Sequence, residues 1–65
     1  MGEVIEAYPN DDPFPSYLLL DFVRGQPIHV VFSYDQEADT GYVVTAYIPT
    51  LERWEEGFRR RRVER

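Results

Sequence analysis

The chain has 65 residues, no cysteine and a net charge of −5, with 43% hydrophobic residues; this is enough for one small domain, and it excludes disulfides and thiolate metal sites, while a single histidine among scattered carboxylates argues against a structural zinc centre. A chain this short buries only about 60% of its unfolded surface, so its core needs reinforcement, and the economical source is a second copy. Residues 1–58 hold eleven acids against Arg24 and Arg53, whereas 59–65 hold five arginines against Glu64: an acidic body that repels phosphate backbones, carrying a basic tail.

Val4 to Tyr8 runs from Gly2 to the turn-forming cluster Pro9-Asn10-Asp11-Asp12-Pro13, which predicts an edge strand over 3–8 followed by a stiff connector through Pro15. Leucines and aromatics between Ser16 and Val23 predict a strand over 17–23 that enters a tight hairpin at Arg24-Gly25-Gln26-Pro27. A third strand follows over 28–34. Asp35 to Gly41 is a polar, acidic loop, and a fourth strand occupies 42–48. These segments form an antiparallel meander.

Period two sorts the strand residues into faces. Ile28, Val30, Phe32 and Tyr34, with Tyr42, Val44, Ala46 and Ile48, make the more apolar set and are the expected core face. His29, Val31 and Ser33, with Val43, Thr45 and Tyr47, form the other. That second set is also partly apolar, so the sheet needs two covers.

One cover is predicted after Pro49. Thr50 is an acceptable N-cap, acids come early and arginines late, and Leu51, Trp54 and Phe58 fall on one side of a helix over 51–62. Glu55–Arg59 and Glu56–Arg60 are i,i+4 pairs, each worth roughly 0.2–0.5 kcal/mol; Gly57 opposes them at about 1 kcal/mol. The expected fold is therefore α+β, a single domain over 1–65 in which an antiparallel four-stranded β-meander is followed by one C-terminal α-helix. With no long hydrophobic span or signal core, the expectation is a cytoplasmic protein without membrane contact or cofactor.

Gly2-Glu3-Val4-Ile5-Glu6, Tyr8-Pro9, Asp12, Pro15-Ser16, Pro27, His29-Val30-Val31, Tyr34-Asp35, Thr45, Tyr47, Pro49, Trp54 and the arginine-rich end together resemble the small bacterial and archaeal proteins grouped as domain of unknown function 4258. The resemblance implies a fold similar to the RelE/ParE-like toxin group, with N-terminal helices against an antiparallel sheet. Those helices would precede Gly2 and are expected to be missing from this chain. The family commonly has glycine where Asp21 stands and arginine where Gln26 stands, which weakens any transfer of an active site.

RelE-like RNA cleavage needs a group that activates a ribose hydroxyl, a cation for the phosphorane-like charge and an acid for the leaving oxygen. His29 and Tyr47 are the catalytic candidates. Arg24, Arg59, Arg60, Arg61 and Arg62 are the phosphate- or partner-binding candidates. Against each stands a plainer reading: a strand histidine satisfied by hydrogen bonds, tyrosines that pack rather than stack on bases, and arginines on a solvated helix end. Asp11, Asp12, Asp35, Glu37 and Asp39 lie in loops without a cation-binding pattern. The favoured function is a non-enzymatic, homo-oligomeric interaction module, expected as a dimer, or a toxin–antitoxin-like component with a protein partner. The alternative is a RelE-like RNA endonuclease; RNA is the less favoured partner.

Overall fold

The computed structural model describes residues 2–63; positions 1, 64 and 65 of the expected domain lie outside the described residues. Four strands, β1 (Glu3–Tyr8), β2 (Ser16–Val23), β3 (Gln26–Asp35) and β4 (Thr40–Tyr47), form one antiparallel sheet in the order β1-β2-β3-β4. The β2–β3 turn is only Arg24-Gly25, with φ of 52° and 80°. Two successive left-handed residues give a turn whose twist matches the strands it joins, and glycine takes the second position without strain. Pro27 lies inside β3 opposite Phe22, but β4 pairs with β3 only from His29 onward. The missing N–H of Pro27 thus falls beyond the reach of β4.

The β3–β4 loop is shaped by the Asp35 carboxylate, which accepts from the backbone N–H of Glu37 at 3.1 Å and of Ala38 at 3.2 Å. Each outer strand contains one extra residue. Ile5 bulges from β1 between Val4 and Glu6, and Val44 bulges from β4 between Val43 and Thr45. A bulge shifts the alternation by one, so the faces of β4 do not follow simple period two along its length.

The core face is the opposite of the expected one. Directly paired residues share a face, and the pairs Leu18–Val31, Leu20–His29 and Ser16–Ser33 place the histidine among the buried residues. Leu18 and Leu20 are 1% and 2% exposed, His29 is fully buried, and Ser16 is 3% exposed. The set with Ile28, Val30, Phe32 and Tyr34 is only half-buried. Which side becomes the core is decided by where the C-terminal segment lands, a contact that alternation cannot register.

That segment is not the expected helix, and the fold among the described residues is all-β, not α+β. Residues 50–54 make one turn, with the Thr50 carbonyl accepting from Arg53 at 3.2 Å and Trp54 at 3.0 Å. The chain then reverses: Gly57 and Phe58 have φ of 87° and 60°, both left-handed, and a right-handed helix cannot pass through them. Glu55 N–H donates to Arg60 at 2.9 Å, Arg62 N–H donates to Arg53 at 2.8 Å, and Trp54 bridges Arg61 antiparallel. Of the i,i+4 pairs expected of the helix, Glu55–Arg59 loses to a longer-range partner, because Arg59 pairs with Glu3 of β1. A helix of this length with an internal glycine is marginal in water, so tertiary contacts decide its shape.

Trp54, 2% exposed, is the buried residue of this segment, whereas Leu51 is 49% exposed. Trp54→Ala is expected to cost about 3–5 kcal/mol and Leu51→Ala less than about 0.5 kcal/mol. Urea unfolding followed by circular dichroism measures both. A docked helix with Leu51 in its stripe would instead make both substitutions costly.

Candidate functional site

The chemistry-bearing residues meet on the covered face, where residues 48–62 cross the sheet as a strap from β4 to β1. His29 lies in β3 between Leu20 of β2 and Tyr47 of β4. Its Nε2–H donates to the Phe58 carbonyl at 2.8 Å, and its Nδ1 is 3.2 Å from the Tyr47 hydroxyl. A carbonyl can only accept, which fixes the proton on Nε2; in the neutral ring, Nδ1 then accepts from Tyr47. Both ring nitrogens are satisfied, and no atom of the imidazole reaches solvent.

Aromatic and cationic groups are layered on the histidine. The Trp54 ring meets His29 edge-on, with centroids 4.3 Å apart at 81°, and Tyr47 meets it at 5.3 Å and 75°. The Arg61 guanidinium lies 4.7 Å from the Trp54 ring centre, a cation–π contact. Arg61 then donates to Glu6 in a fork, Nε to Oε2 at 3.0 Å and Nη2 to Oε1 at 3.2 Å. Arg59 repeats the fork on Glu3, Nε to Oε2 at 3.0 Å and Nη2 to Oε1 at 3.0 Å. Bidentate geometry fixes direction as well as distance, so the two forks tie the strap to β1.

Charges respond accordingly. The hydrogen bond from Arg59, which outweighs some burial, holds the Glu3 carboxyl below its ordinary 4.5, and Arg59 is raised in turn. For Glu6 burial acts upward, but hydrogen bonds from Tyr8 and Arg61 prevail and the carboxyl is also lowered. Tyr8 is raised, first by its bond to Glu6 and then by burial; Tyr47 is raised chiefly by burial.

The candidate residues therefore separate. His29, Tyr47 and Arg61 come together, Arg59 lies at the β1 end of the same strap, and Arg62 donates through Nε to the Leu51 carbonyl. Arg60 is exposed, and Arg24 sits in the β2–β3 turn, beyond the strand ends. A general acid or base must come within hydrogen-bond reach of its substrate, and His29 presents nothing to one. The tyrosines form no common platform: Tyr8 and Tyr47 belong to the strapped face, Tyr17 and Tyr34 to the other. No group of three or more histidine, aspartate or glutamate side chains is placed to hold a metal among the described residues. The arrangement is a clasp.

Glu3, Glu6 and Trp54 are the members that sequence reasoning missed as a unit. Arginines were assigned to acids four positions away because only local spacing is visible in a sequence. The one local signal against that pairing was Gly57, which interrupts the helix the pairing requires.

The opposite face is open. Two apolar rows cross all four strands, one of Val4, Leu19, Val30 and Ala46, the other of Ala7, Tyr17, Phe32 and Val43. Val4 is 52% exposed and Val43 is 73% exposed. Leu19, Val30, Phe32, Gly41, Tyr42 and Val43 line a shallow depression of about 290 Å³.

Compared with known proteins, residues 1–48 match the family model of a domain of unknown function (DUF4258). No curated protein and no solved structure matches the chain.

Two outcomes follow from the clasp. Tyr47→Phe removes the partner of a buried histidine nitrogen and is expected to cost about 1–3 kcal/mol, measured by urea unfolding. Because Glu3 and Glu6 titrate below 4.5 when folded, their contribution is full above that pH and is lost as pH falls through the lowered values. The fluorescence of Trp54 should report strap release below pH 4.5, and the Glu3→Gln/Glu6→Gln double variant should be less stable at pH 7 yet lose less on acidification.

Proposed function

The chain belongs to the family of domain of unknown function DUF4258, and from that premise we propose that it is a non-enzymatic interaction module which assembles with a second copy of itself through its open sheet face. The observation that carries this reading is the pair of uncharged rows across β1 to β4, left bare while the other face is sealed by the strap. Water-facing apolar rows of this extent mark contact surfaces, and two copies stacked face to face would bury them in a shared core about 10 Å thick. A two-fold axis makes the surface its own complement. At about 800 Å² per partner such a contact has the scale of a specific interface.

The groups that RNA cleavage would need are engaged elsewhere, which supports binding over catalysis. His29 is buried with both nitrogens bonded, and Arg59 and Arg61 are held by carboxylates. The finer form of the reading is a cytoplasmic component of toxin–antitoxin type, related to the RelE/ParE-like group by resemblance, that acts by occupying a protein partner rather than by cutting RNA. Among the described residues no helix is long and apolar enough to cross a membrane.

Sedimentation equilibrium at micromolar concentration tests the reading. Association is expected, and Phe32→Lys, which puts a charge in the centre of the open face, should weaken it. A chain that stays at 7.7 kDa throughout would refute self-association. Ribosome-bound or free RNA cut by the purified chain, and left intact by His29→Ala, would restore the endonuclease.

A further inference from the structure

The sheet has two edges, and one is defended far more heavily than the other. An edge strand exposes a row of unpaired N–H and C=O groups, a template for another strand unless charge, proline, a bulge or a cover blunts it. β1 has the first, third and fourth of these protections: Glu3 and Glu6 lie along it, Ile5 bulges from it, and Arg59 and Arg61 of the strap clamp it. β4, Thr-Gly-Tyr-Val-Val-Thr-Ala-Tyr, has only the bulge at Val44 and contains no charged residue and no proline. From Gly41 to Tyr47 every residue is exposed, Val43 at 73% and Val44 at 61%.

The geometry points to antiparallel pairing of β4 with β4 of a second copy, about a two-fold axis perpendicular to the sheet near Val43 and Val44. This pairing does not depend on the face-to-face contact proposed above. Where both form, their two-fold axes combine into a four-chain sandwich of two eight-stranded sheets; that assembly rests on the proposed function, whereas the edge pairing stands by itself.

Charge selects the antiparallel arrangement. Asp35, Glu37 and Asp39 crowd the loop that enters β4. Parallel pairing would set two such loops side by side. Antiparallel pairing puts them at opposite ends of the strand, about 24 Å apart by strand rise and well beyond the screening length of about 8 Å in physiological salt. The bulge at Val44 lies at the strand centre, so the two-fold axis sets each copy's bulge against the other's and the bends are matched. A partner strand of foreign sequence would carry no such match.

Hydrogen exchange read residue by residue, together with sedimentation, tests the pairing. Strand β4 bonds β3 on one side only, so roughly every second amide of residues 40–47 points outward; on association these should exchange at least about ten-fold more slowly, while amides of β1 do not change. Val44→Lys should abolish that protection, and Phe32→Lys should leave it. A wild-type dimer with β4 protection upholds the edge pairing and refutes the face contact. A dimer without it refutes the edge pairing and leaves the face contact standing. A monomer, or protection that persists in Val44→Lys, overturns the edge pairing.

Discussion

The strap across the covered face turns on one buried hydrogen bond, from His29 Nε2–H to the carbonyl of Phe58 at 2.8 Å. The Phe58 backbone is left-handed, with φ of 60°, a conformation that a bulky residue adopts only where its surroundings impose it. Two bonds hold it there, the carbonyl accepting from His29 and the N–H donating to the Glu55 carbonyl at 2.9 Å. With Phe58 held, the segment cannot be helical, Trp54 is laid on the imidazole, and Arg59 and Arg61 are delivered to Glu3 and Glu6. An unpartnered imidazole nitrogen in this core would cost more than the surface ion pairs return, so the buried bond orders the strap and the forks orient it.

The sheet was legible because its signals are local. Turn residues at 9–15, Arg24-Gly25 and the acidic stretch before Gly41 separate four runs of alternating or apolar residues, and the chain has little choice but to pair neighbours. The core side was not legible. Ile28, Val30 and Phe32 are more apolar than His29, Val31 and Ser33, and hydropathy alone favours burying them; the buried face is instead the one that the strap reaches. Period two says which residues travel together and is silent on which side faces in. The helix failed for a related reason: acids followed by arginines at four-residue spacing suit a helix, but Arg59 and Arg61 fit carboxylates more than fifty positions away.

Of the site, the association of His29 with Tyr47 could be anticipated, since both sit in strands that the meander makes neighbours. Their engagement could not. A histidine, a tyrosine and arginines in proximity look the same in sequence whether they face a substrate or one another, and here Trp54 fills the space a substrate would need. The consequence is a molecule with two unlike sides, one polar network closed upon itself and one bare apolar surface, joined by strands that contribute to both.

The forks between Glu3 and Arg59 and between Glu6 and Arg61 join residues 56 and 55 positions apart, and that separation sets an order of events. The β2–β3 and β3–β4 hairpins close over short loops on the microsecond scale. The strap must wait until almost the whole chain is arranged, because closing a loop of that length brings no return before the sheet exists to receive it. Residues 50–62 are therefore expected to dock last, onto a sheet whose strands have already paired, and His29 is covered only in that final step.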